Sequence, residues 1–400
     1  MPVELHVHLD GAIPPSTLLR VSRRRGLALP GINRVPETIE DVWTSLQSMQ
    51  PVWHRFDLVN EIIGGSEDTL AEISQEFVDR QAAQNVTYTE VRWDPIRPAV
   101  STLANVSISA EAAIGAVQRG LRAGCERHGI EVYQLLCAMR GKPGAACFDL
   151  ARLASRTRSG ELGGVVGMDI AGDEAHFNNT VNDYEACLRY AKVELLLNTT
   201  VHAGESYTDI HRSYADVVSA IEVMRCDRIG HGYASTHDED TLELVRRRGV
   251  HLEACPAGGH GNGVNLAATG VYRARGLSFG LNTDDPTPYF ANTTLEHVED
   301  LVRSRLNFSS ADIDKAYSDA YAASFARDAR RIVAMQRAAA QPGPTPLPPI
   351  ADVGGGRPTG FIVVCVLIGL SSLAFLAWAA LGRRRSPQPP KEVSLTATTI

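Results

Sequence analysis

Short β-branched and apolar runs alternate along this chain with longer stretches of helical periodicity. The runs are Val3–Leu9, Val86–Trp93, Ile130–Met139, Gly164–Ile170, Thr199–Val201, Asp227–His231, Val250–Ala254 and Leu277–Asn282, and each has strand character. Between them, Pro14–Arg25, Glu67–Gln84, Ala110–Arg127, Cys147–Arg158, Val181–Lys192, Tyr207–Arg225, Asp238–Arg248 and Asn265–Arg275 read as helices. The first starts at proline and stops at Gly26, as helices tend to. Glu37–Ile63 mixes helix and loop, and its Trp43, Trp53 and Phe56 read as packing residues or, alternatively, as a pocket lid. Further helices fill the chain to about Ala340. Eight strands alternating with helices predict an α/β fold, a (β/α)8 TIM barrel over residues 1–340.

The pattern then changes. Residues 341–360 are rich in proline and glycine and read as an extended linker reaching up to ~60 Å. Phe361–Leu381 is uncharged and apolar. As a helix it spans ~31 Å, enough for a bilayer core of ~30 Å, so one C-terminal transmembrane helix is expected. Residues 382–400 form a short tail with Arg383, Arg384, Arg385 and Lys391. The positive-inside rule puts that tail in the cytosol and the barrel on the extracellular or luminal side. Asn85, Asn105, Asn178, Asn198, Asn292 and Asn307 each begin an N-x-S/T sequon, which agrees with glycosylation. No leader-like segment precedes Val3, so an upstream signal is expected before this start. The alternative is a tail anchor with the barrel in the cytosol.

The 44% hydrophobic content permits a large core, and the formal net charge is −7. Without the tail the body holds 35 basic and 45 acidic side chains, a net of −10, so no nucleic-acid partner is expected. The seven cysteines include no C-x-x-C pair, which argues against a cysteine-rich zinc site or a dithiol motif. The six outside the apolar span do not read as a disulfide framework.

Chemistry concentrates at the strand ends. His6 and His8, two apart on a strand, point to one side. His202 and Glu205 follow the fifth strand, His231 ends the sixth, and Asp284-Asp285 follow the eighth. Barrel active sites gather at the C-terminal ends of the strands, so these residues would meet at one mouth. Three imidazoles and a carboxylate suit a single divalent metal, most naturally zinc, with water at the remaining position. His231 is left to orient or deprotonate that water, and Glu205 to protonate a substrate. Of the two adjacent aspartates, one can bind metal while the other accepts a substrate hydrogen bond.

Six stretches carry a family resemblance: Val3–Ala12, Glu90–Arg92, Met168–Glu174, Val201–Glu205, Ile229–Tyr233 and Leu281–Pro286. In this order, over residues 3–335, the chain resembles the adenosine deaminases, metal-dependent barrels of the amidohydrolase type. The resemblance implies one zinc ion held by His6, His8, His202 and Asp284. It implies that Glu205 protonates the purine ring nitrogen beside the reacting carbon and that His231 positions the attacking hydroxide. Asp285 would hydrogen-bond the imidazole side of the purine, the Gly172 backbone would meet another ring nitrogen, and Asp10 with His8 would lie near the ribose 5′-hydroxyl. The expected substrate is a small purine nucleoside, adenosine and also 2′-deoxyadenosine. The alternatives are adenine, an adenine nucleotide, or a catalytically silent surface binding module. No lysine stands near the end of the fourth strand, which disfavours a two-metal site bridged by a modified lysine.

Overall fold

The first seven residues already show how the fold positions its site. Val3, Leu5 and Val7 alternate with Glu4 and His6, and all are buried, because a strand in this fold packs helices on one face and the barrel interior on the other. The computed structural model describes residues 1–175, 177, 184–258, 263–287 and 293–340. The linker 341–360, the apolar run 361–381 and the tail 382–400 lie outside the described residues. Among the described residues no helix is long and apolar enough to cross a membrane.

Ten strands form among the described residues: β1 (Val3–His8), β2 (Tyr88–Trp93), β3 (Val100–Ser101), β4 (Val106–Ser107), β5 (Glu131–Met139), β6 (Val165–Ala171), β7 (Asn198–Ala203), β8 (Arg228–His231), β9 (His251–Ala254) and β10 (Phe279–Leu281). β3 and β4 form a small antiparallel hairpin after β2. The other eight form one parallel sheet in sequence order, the predicted (β/α)8 barrel. β10 is short, and the residues after it complete the seam. Asn282 Oδ1 accepts from the Leu5 and His6 amides at 2.7 and 3.0 Å. His8 N donates to Asp284 O at 2.9 Å, and Asp284 N donates to His6 O at 3.0 Å. The closure of the barrel therefore sets the position of Asp284 against β1.

Local signals fix the helices. Pro15–Arg25 ends at Gly26 in the left-handed region, φ 65°, where glycine has no Cβ penalty. The stretch with mixed character resolves into helices Ile39–Ser48 and His54–Ile63. Thr38 and Asp41 form a capping box on the first. Tyr207–Arg225 is shorter than predicted, Ile210–Glu222, because the Asp209 side chain caps it.

The cysteines form no disulfide framework among the described residues, yet one pair does bond. Cys147 and Cys187 form a disulfide that joins helix Gly144–Thr157 to helix Glu185–Val193. Forty residues separate them in sequence, and only the packing of consecutive outer helices brings them together, so spacing alone gave no sign of it. Cys125, Cys137, Cys226 and Cys255 are free and buried.

The barrel interior is charged rather than aliphatic. Arg228 donates to Glu90 at 2.6 Å and to Glu253 at 2.7 Å, and its guanidinium lies 3.6 Å over the Phe325 ring. Arg92 joins Glu253 at 2.6 Å and Asp169 at 3.0 Å. All five charged groups are shielded from solvent. Removing one partner of such a network strands a buried charge, at about 3–5 kcal/mol. Arg228→Met is therefore expected to lower unfolding stability by that amount, read from denaturant midpoints; a loss below about 1 kcal/mol would mean the carboxylates find other partners.

Candidate active site

The C-terminal strand ends bring the predicted groups together. His6 and His8 come from β1, His202 from β7 and His231 from β8, while Asp284 follows β10. Two of these adopt the left-handed backbone that non-glycine residues rarely enter: His231 has φ 68° and Asp284 φ 65°. That conformation costs of order 1–3 kcal/mol and is typically held at functional sites by the surrounding structure. Space is also reserved. At Gly230 a Cβ would lie 2.9 Å from His6 Cε1, and at Gly11 it would lie 1.7 Å from Asp285 Oδ1.

The donor atoms converge at metal-ligand spacing. The Nε2 atoms of His6 and His8 each lie 3.5 Å from Asp284 Oδ1. The ligand atoms of His6, His8 and His202 lie within 4.8 Å of one another. Bonds of ~2.0–2.1 Å to a tetrahedral zinc would place ligand atoms ~3.4 Å apart, so the set needs little adjustment. His6 Nε2 is buried without a hydrogen-bond partner, a state that a bound cation would relieve. The donor set, three imidazoles and a carboxylate, fits a borderline divalent ion.

A second layer of carboxylates stands behind the imidazoles. Glu253 lies 2.9 Å from His6 Nδ1, and Asp169 lies 2.9 Å from His202 Nδ1. An Nδ1–H given to a carboxylate leaves the Nε2 lone pair for a metal. Arg92 bridges both carboxylates and donates to Leu5 O. Burial opposes ionisation of Glu253, yet Arg92 and Arg228 hold its carboxyl well below the usual range. Sequence reasoning gave no role to Arg92, Asp169 or Glu253. The available signal was a charged residue inside each of three otherwise strand-like runs. Cys255 also stands beside the cluster, with its Sγ within 4.8 Å of ligand atoms of His6, His231 and Asp284. Its thiol donates to Glu253 O and is pushed well up by burial.

The predicted catalytic and substrate groups line one cavity of about 350 Å³: His8, Asp10, Gly172, His202, Glu205, His231, Asp284 and Asp285. His6 lies beneath it, fully buried. Glu205 Oε2 is 3.7 Å from His231 Nε2. Burial, reinforced by the charges of Asp284, Glu174 and Asp173, pushes the Glu205 carboxyl well above its usual range. Burial, with His6 nearby, pushes His231 well below its usual value. The carboxyl of Glu205 and the imidazole of His231, pushed in opposite directions, thus face each other in the cavity. Asp285 is also pushed up, by burial and then by Asp284, and its Oδ1 is buried without a partner. Asp10 accepts a hydrogen bond from Asn60 Nδ2 at 2.8 Å. Trp53 and Phe56 line the cavity, while Trp43 packs against the core.

Known proteins resemble this chain along most of its length. Residues 2–338 match the family model described as adenosine deaminase. The chain is 28% identical over 344 residues to the adenosine deaminase of Mus musculus, covering 81% of this chain and 92% of that enzyme. An amidohydrolase from Burkholderia ambifaria, solved with bound zinc, superposes with a TM-score of 0.68 at 20% identity, covering 85% of this chain and 93% of that one. The adenine deaminase of Arthrobacter aurescens gives a TM-score of 0.67 at 23% identity, covering 84% and 98%. These two likenesses speak to the fold, which is the amidohydrolase-type barrel. With the family match running through every stretch of the site, the chain belongs to the adenosine deaminase family.

Proposed function

We propose that this chain is a zinc-dependent deaminase that converts adenosine, and 2′-deoxyadenosine, to inosine or its deoxy form plus ammonia. The observation that carries the reading is the pairing of Glu205 with His231, 3.7 Å apart, beside the His6, His8, His202 and Asp284 donor set. Zinc, when bound there, would supply an acidified water. Glu205, kept protonated, gives its proton to the ring nitrogen next to the reacting carbon. His231, kept neutral, accepts the proton of the attacking water. Asp285 hydrogen-bonds the imidazole side of the purine through its unpartnered oxygen, Gly172 meets a second ring nitrogen through its backbone, and Asp10 with His8 faces the sugar.

The cavity lining favours a nucleoside over a nucleotide. Asp10, Asp57, Asp94 and Asp173 share it with Arg55 and Arg97, and a net acidic wall repels a phosphate. Turnover of adenosine, 2′-deoxyadenosine, adenine and AMP by the zinc-loaded protein tests the reading. Ammonia release should be fastest with the nucleosides and should vanish on chelation. Purified, zinc-loaded protein that leaves every one of these unchanged overturns it in favour of the silent binding module.

The second part of the reading is placement. We infer a single-pass protein anchored by 361–381, with the barrel outside the cytosol. The apolar run and the Arg383–Arg385 cluster after it support this. So does the Cys147–Cys187 disulfide, since disulfides persist in oxidising compartments. Asn85, Asn105 and Asn307 are exposed. Asn198 is a correction to the sequon count: it is buried in β7, and its amide faces Phe325 O. Asn178 and Asn292 lie outside the described residues. On expression of the full transcript in cells, glycosidase treatment should shift the mobility, Asn198→Gln should not alter that shift, and surface protease should reach the barrel. No shift together with full protection would favour the cytosolic tail anchor.

A further inference from the structure

Glu174 stands three residues beyond the end of β6 and is neither a proposed metal ligand nor a substrate contact. It is 4% exposed. Its Oε1 accepts from the Gly204 amide at 3.0 Å. Its Oε2 accepts from the Glu205 amide at 2.9 Å, the Ser206 amide at 2.7 Å and Ser213 Oγ at 2.8 Å. Gly204 has φ 75°, and that left-handed turn aims three successive amides at one point. Such a concavity of N–H groups binds anions, and here the anion is a side chain of the same protein. Hydrogen bonds to an ionised acceptor are about twice as strong as neutral ones. The loop after β6 therefore clamps the loop after β7, at the residue that carries the acid.

We propose that Glu174 is the positioning residue for Glu205: its carboxylate fixes the Gly204–Ser206 turn, and so sets where the Glu205 carboxyl meets the substrate. Its negative charge acts in the same direction, together with Asp284 and Asp173 and against Arg140, in keeping the Glu205 proton in place. The proposal rests on Glu205 being the proton donor, and the test separates the two claims.

Glu174→Gln keeps the volume but turns an amide NH2 toward amide donors. Misplacement of a catalytic group by about 1 Å costs on the order of 10²-fold. With adenosine, kcat is expected to fall about 10- to 100-fold, with KM within about threefold and zinc per chain unchanged. In a Glu205→Gln background the same substitution should lower kcat by less than about threefold further, since residues that act as a unit are not additive. A purely structural role would instead lower the folded or zinc-bound fraction and act equally in both backgrounds. If Glu174→Gln fails to accumulate, Ser213→Ala carries the test by removing one of the four donors, with an expected loss of about threefold in kcat at constant KM. An unchanged kcat in the variant tested, or additivity with Glu205→Gln, overturns the proposal. Substantial activity in Glu205→Gln alone overturns the assignment of the acid instead.

Discussion

Glu205→Gln is expected to lower kcat by about 10²–10⁴-fold while zinc stays bound. Glutamine has the shape of the acid, and the Glu205 backbone amide keeps its bond to Glu174, so geometry should survive. What disappears is a carboxyl that can give up a proton. Burial and the surrounding carboxylates push the Glu205 carboxyl well above its usual range, and an amide cannot give up a proton in its place. Because that transfer belongs to the transition state, the loss should fall on kcat with KM little changed. Zinc stoichiometry and unfolding temperature should match the wild type. A loss below tenfold would mean that another group donates the proton.

Much of the candidate site could be read from the sequence because its residues lie at or near the C-terminal ends of strands. The two-residue spacing of His6 and His8 survives as a shared inward direction on β1, and Asp284-Asp285 follow β10 as predicted. Strand periodicity says which way a residue points, and barrel topology says which ends meet. What could not be read depends on tertiary closure. Arg92, Asp169 and Glu253 come from β2, β6 and β9, and only the closed barrel sets one guanidinium between two carboxylates. Glu174 is similar: its partners lie 30 to 39 residues away, and nothing local marks it as an anchor. The positive φ of His231 and Asp284 is only weakly signalled, since aspartate and histidine are enriched in that region but enter it in a small minority of cases. The Cys147–Cys187 bond escaped for the same reason, because it joins the outer faces of two helices.

Removing the carboxylate of Asp284 is expected to empty the metal site. Its Oδ1 stands 3.5 Å from Nε2 of both His6 and His8, an arrangement that one shared metal ion would accommodate. Burial opposes its ionisation, yet His6, His231 and His8 hold the carboxyl well below its usual range. Asp284 would be the anionic member of the proposed donor set. Loss of a partner behind a ligand lowers metal affinity about 10–100-fold, and loss of a ligand itself should exceed that. Asp284→Ala carries a complication, since alanine enters the left-handed region less readily than aspartate. Asp284→Asn removes the charge while tolerating φ 65°, so it separates ligation from backbone strain. Both variants should lose zinc in competition with a chromophoric chelator, and Asp284→Asn should do so at near wild-type unfolding temperature. Zinc content unchanged in both variants would show that the metal is held by the three histidines alone and that Asp284 is not a ligand.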